Sequence, residues 1–152
     1  MERRAIRVEP FSTWIERRRK GPINPVTVAG GFVFVSGLPP FDPVSGEAVR
    51  RPFPEQAEIV LARMKQCLEA AGSSMERVLK CNVYCTDQSH FAAINDAYVR
   101  YFVGETPARL AGTAVLRKAW LSRDLPHTGL GAHQLSHEQS TVSGQVVQSG
   151  AR

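Results

Sequence analysis

Two rhythms follow one another between residues 54 and 86, and they leave few folds open. Ala57, Val60, Leu61, Met64, Leu68 and Ala71 recur at three- and four-residue steps, an apolar stripe along a helix over residues 54–71. Pro54 suits its first turn, Glu55 and Glu58 sit near the positive end of its dipole, and Gly72 is placed to cap its C-terminus. After Ser73 and Ser74 the period changes to two. Over residues 78–86, Leu79, Cys81, Val83 and Cys85 are predicted to face one side of a strand, and Val78, Lys80, Asn82 and Tyr84 the other. The first set suits a face covered by helices; the second is mixed and suits a cleft or a subunit contact.

The flanking segments extend this pattern. Residues 4–9 alternate weakly and read as a first strand, and residues 10–25, with Pro10, Gly21, Pro22 and Pro25, read as a surface loop. Residues 26–28 and 32–37 read as a β-hairpin turning at Gly30 and Gly31. Four consecutive apolar residues, Phe32 to Val35, suggest a strand covered on both faces. Residues 38–54 are rich in turn formers and read as a loop with a short strand near Glu47–Val49. Asp87 or Ser89 can cap a second helix over 89–103, whose apolar face holds Phe91, Ile94, Tyr98, Tyr101 and Phe102. Asn95 lies on or near that face, as a satisfied core group or as a pocket contact. Helices that link strands predict an α+β two-layer sandwich: one mixed β-sheet with two α-helices on one face. The uncovered face is too apolar to be left in water, so oligomerisation through it is expected.

Composition narrows the function classes. At 152 residues the chain is one domain's worth, and 43% hydrophobic with 22% charged residues is ordinary for a soluble globular protein. No apolar run approaches a membrane span, and the charged N-terminus has no apolar stretch behind it, so neither membrane nor secretion is expected. Cys67, Cys81 and Cys85 form no CxxC pair, and the last two are about 13 Å apart along a strand, too far for a disulfide. Buried thiols in a reducing, cytoplasmic setting are the reading. Residues 1–20 carry seven Lys/Arg against three Asp/Glu, so most of the net charge of +5 sits in a short N-terminal extension. With no nucleic-acid motif beside it, that cluster reads as a solvated segment and nucleic acid as an unlikely partner.

Residues 107–116 carry the clearest candidate for chemistry. Pro107 suits the start of a strand, and Arg109 is a permanent cation at the mouth of an apolar run. Its planar guanidinium can clamp a carboxylate through two parallel hydrogen bonds. Spacing alone fits a solvated or ion-paired strand-edge arginine at least as well.

Taken together and in order, FVFVSG at 32–37, DPVSGE at 42–47, LEAAGSSMERVLKCNVYCTD at 68–87, FAAINDAYVRYF at 91–102 and PAR at 107–109 resemble the Rid family of reactive-intermediate deaminases, the YjgF-like proteins. The likeness covers residues 20–110, and the opening 2–19 with the Asn-Val-Tyr-Cys strand is similar to the 2-aminomuconate deaminase-type branch. The resemblance implies a chorismate-mutase-like fold, a homotrimer with ligand clefts between subunits, and hydrolysis of enamines and imines to ketoacids and ammonia without a cofactor. It implies that Arg109 binds the substrate carboxylate, that Ser36 and Gly37 line the cleft, and that Asn95 lies near it.

The chain departs from the family in two places. Gly21-Pro22-Ile23-Asn24 stands where members often have Gly-Pro-Tyr-Ser. Residues 117–152 lack the final strand with a central acid, and Asp124 and Glu138 are the only acids after Arg109. Glu138 is the available substitute for that catalytic carboxylate. Three readings of the tail stay open: a poor final strand over 141–147, a segment too polar to fold alone, or a changed reading frame near residue 110. The Rid-like domain is thus placed at 1–116, with 1–20 as its basic extension. His133 and His137 are four apart, but their neighbours are poor helix formers, so no metal is expected. The competing functional reading is a catalytically impaired member that binds small carboxylates or acts as an interaction or holdase-like protein.

Overall fold

The computed structural model describes residues 2–19, 23–47, 49, 51–113 and 143–149, with 18–19 and 143–149 as backbone. The strands are β1 (Arg3–Ile6), β2 (Val26–Ala29), β3 (Phe32–Val35), β4 (Val78–Cys85), β5 (Ala108–Thr113) and β6 (Ser143–Ser149). The helices are α1 (Phe11–Arg19), α2 (Phe53–Ala70) and α3 (Phe91–Tyr101). One mixed sheet runs in the order β1-β2-β3-β6-β4-β5. Among the described strands only β4 and β5 pair in parallel, and α3 is the crossover between them. Because β6 is antiparallel to both β3 and β4, those two strands run the same way with α2 as their connection.

The local chemistry accounts for most of these elements. Gly30 and Gly31 both hold positive φ, 57° and 78°, which a two-residue hairpin turn between Ala29 and Phe32 requires. α2 opens with Pro54 among its first residues and buries Val60, Leu61, Met64 and Leu68, the stripe the periodicity predicts. It ends with the Gly72 amide donating to the Glu69 carbonyl at 3.0 Å and the Ser73 amide to Leu68 at 2.9 Å, with Gly72 left-handed at φ 75°. The stretch 41–47 is a tight loop, as read for residues 38–54. The Asp42 carboxylate accepts from the amides of Val44 and Ser45, which holds it below the usual carboxylate range, and the Asp42 amide donates to the Glu47 carbonyl at 2.7 Å.

Four expectations are corrected. The loop over 10–25 contains α1, because Phe11 and Ile15, four apart, are buried against the core while Glu16 and Arg17 stay exposed. α1 adds a third helix to the two expected, and Phe11 meets Phe41 with ring centroids 6.5 Å apart. The strict alternation of 78–86 fails at its start: a bulge between Val78 and Lys80 inserts one residue, so Val78 is buried and Leu79 exposed. β3 is covered on one face only: Val33 and Val35 are buried, whereas Phe32 and Phe34 are 39% and 41% exposed. From the tail, β6 lies between β3 and β4, and its range overlaps the stretch 141–147 considered as a final strand. No helix among the described residues is long and apolar enough to cross a membrane.

Candidate functional site

Arg109 is the second residue of β5, an end strand of the sheet, and pairs in register with Cys81. Its side chain runs to α3. Nη1 donates to Asn95 Oδ1 at 2.8 Å, and Cζ lies 4.9 Å from the centre of the Tyr98 ring. Asn95 and Tyr98 are three residues apart on α3, so one helix face supplies both contacts. Arg109 and Asn95 are exposed, whereas Tyr98 is only 4% exposed and packs on Phe102 at 4.3 Å between ring centroids.

The layer under the guanidinium is uncharged. Burial pushes the Cys81 thiol up to about 11, and burial likewise raises the Tyr98 phenol. Neither is an anion at neutral pH. No carboxylate among the described residues pairs with Arg109. One of its five N–H donors is engaged by Asn95, and the cation faces solvent at the edge of an apolar layer. Such an arrangement can take a ligand carboxylate.

The other predicted residues lie elsewhere. Ser36 follows β3 and anchors its amide on the Pro25 carbonyl at 2.8 Å, while its Oγ is buried without a partner among the described residues. Gly37 is exposed beside it. β3 and β5 are three strand steps apart, about 14 Å at ~4.8 Å per step, so Ser36 and Gly37 do not meet Arg109 within one chain. Asn82 Oδ1 is another buried acceptor without a partner among the described residues. Glu138, His133 and His137 lie outside the described residues, among which no group of three potential metal ligands occurs.

Sequence reasoning brings Arg109 and Asn95 together but misses Tyr98, read there as a core residue of the helix stripe. The available signal is its three-residue spacing from Asn95, which puts both on the face that meets β5.

Comparison with known proteins follows the same outline. A family model described as Endoribonuclease L-PSP matches residues 17–121. A RutC family protein of Pyrococcus horikoshii is 42% identical over 91 residues, covering 60% of this chain and 72% of the relative. Protein DfrA of Myxococcus xanthus is 41% identical over 81 residues, covering 53% of this chain and 62% of its own length. Among solved structures, RidA from an Antarctic Psychrobacter matches with a TM-score of 0.64 and 29% identity, over 85% of this chain and 89% of that one. A Thermotoga maritima protein provisionally described as an endoribonuclease reaches a TM-score of 0.72 at 27% identity, covering all of both chains.

Proposed function

Because this chain belongs to the Rid (YjgF-like) family and has its chorismate-mutase-like α+β fold, we propose that it hydrolyses reactive 2-aminoacrylate and 2-imino acid intermediates to ketoacids and ammonia. The observation that carries this reading is Arg109: an exposed cation fixed by Asn95 and Tyr98, with no carboxylate partner among the described residues.

In this reading Arg109 clamps the substrate carboxylate and holds C2 in place. The enamine tautomerises to the imine, whose carbon is already electrophilic. Water adds to C2 and forms the C–O bond, a proton passes to nitrogen, and the C–N bond breaks to release ammonia and leave the ketone. Orientation and one proton transfer are all the site has to supply, so the chemistry needs no cofactor. Glu138 is assigned the proton transfer. A three-carbon imino acid is too short to bridge Ser36 and Arg109 of one chain across about 14 Å. The ligand cleft is therefore assigned to the interface of a cytoplasmic homotrimer, with Ser36 and Gly37 of one protomer facing Arg109 and Asn95 of the next. The apolar open face of the sheet, with Phe32, Phe34 and Leu110 exposed, supports association through it.

The test generates 2-iminopropanoate or 2-iminobutanoate with a serine or threonine dehydratase and follows its loss with this protein and with Arg109→Ala. Acceleration that disappears in the variant is expected. No acceleration by an assembled wild-type trimer would replace this reading with that of a carboxylate-binding, non-catalytic protein.

A further inference from the structure

We propose that Tyr98 is a positioning residue for Arg109, acting through its ring and not its hydroxyl. The inference rests on the reading that Arg109 clamps the substrate carboxylate. An arginine on an exposed end strand has about 2 kcal/mol of rotamer freedom to lose before it can bind a ligand bidentately. Here that freedom is already restricted. Asn95 Oδ1 holds Nη1, and the guanidinium carbon lies 4.9 Å from the ring centre of Tyr98, within cation–π range.

The ring is itself a fixed surface. Tyr98 is 4% exposed and tilted by 38° against Phe102. Its hydroxyl is buried and turned to the Cys81 thiol, a weak partner, and makes no hydrogen bond to Arg109. The hydroxyl meets Cys81 and not the guanidinium, so the ring is what acts on Arg109. The ring contact takes no N–H group, so the donors beyond the one held by Asn95 stay available for carboxylate recognition.

The experiment compares wild type, Tyr98→Phe, Tyr98→Met and Arg109→Ala in the coupled imine assay, with melting curves on each. Methionine fills the space without a π-face, so the helix packing survives while the stack is lost. The expected result is a KM raised about tenfold in Tyr98→Met with kcat within about threefold, and rescue in Tyr98→Phe to within about twofold. The ¹⁵N signal of Arg109 Nε, read independently of turnover, is expected to show an ordered side chain in wild type and Tyr98→Phe and a mobile one in Tyr98→Met. A wild-type KM and an ordered Nε in Tyr98→Met overturn the inference while a dead Arg109→Ala leaves the clamp standing. Equal defects in Phe and Met variants overturn it too, since the hydroxyl would then be the acting group. Full activity in Arg109→Ala refutes the clamp and the positioning role together.

Discussion

Gly46→Ala tests how α1 is seated. Gly46 holds a left-handed φ of 71°, and its amide donates to the Asp42 carbonyl at 2.9 Å to close the turn. A Cβ at this position would lie 2.5 Å from Cγ and Cδ2 of Trp14 and 2.7 Å from Cδ1. Ordinary carbon contacts begin near ~3.5 Å, so the indole must move by about 1 Å. It has little room, because the Arg63 guanidinium lies 5.3 Å from its ring and 5.0 Å from that of Phe11. A left-handed alanine costs about 1–2 kcal/mol and overpacking about 1–3, offset by up to ~1 from the stiffer unfolded chain. The net expectation is a loss of about 1–5 kcal/mol, read as a lower urea midpoint at fixed protomer concentration. In a Trp14→Ala background only the backbone strain remains, so the two substitutions should couple by at least about 1 kcal/mol. A Gly46→Ala loss below about 0.5 kcal/mol, or strict additivity with Trp14→Ala, would refute the packing of α1 on this loop.

Two further outcomes follow from the core and the sheet. Burial raises the Cys81 thiol from 9.0 to about 11 and Cys67 to about 12. Their folded values exceed the unfolded ones, so the associated stability is complete below pH ~9 and is lost as pH rises toward 11 and 12; Cys81 alone accounts for about 3 kcal/mol. Urea midpoints should fall between pH 9 and 11, and a thiol reagent should leave the folded protein unmodified at pH 8; rapid modification without unfolding would contradict this. Removing residues 143–152 should abolish cooperative unfolding, because β3 and β4 are joined in the sheet only through β6. A truncated chain that keeps its sheet circular dichroism and a sharp melt would contradict that.

Legibility followed the strength of the local code. α2, β4 and the glycine hairpin were readable because periodicity, caps and turn residues agree at each of them. α1 was obscured by Pro10 and the basic run, although Phe11, Trp14 and Ile15 carry a short helical stripe. The bulge at Leu79 left no mark in composition, since Val78 and Leu79 are equally apolar and only pairing with β6 decides which turns inward. β6 is a run of Gly, Gln, Ser and Val whose strand state comes from neighbours on both sides. Arg109 stood out as a lone cation opening an apolar strand. Tyr98 could not, because an aromatic on a helix stripe looks like core until the strand opposite it is known.

Two arginines of this chain make the same kinds of contact, and burial separates their roles. Arg63 lies over Phe11 and Trp14, and its Nη1 donates to Gln66 Oε1 at 2.6 Å. Gln66 in turn donates to the Glu9 carbonyl just before α1. No carboxylate among the described residues pairs with Arg63, and burial lowers its pKa. It is 6% exposed, so an anion could reach it only by lifting α1 and separating the buried side chains of Phe11 and Ile15 from the core. Its two aromatic faces and one amide therefore serve to hold α1 in place. Arg109 also has an aromatic face and an amide, but it stands on an exposed end strand with solvent before it. A ligand carboxylate there displaces only water and meets a guanidinium whose orientation is already restricted. Burial thus makes Arg63 a structural clamp, and exposure supports the binding role proposed for Arg109.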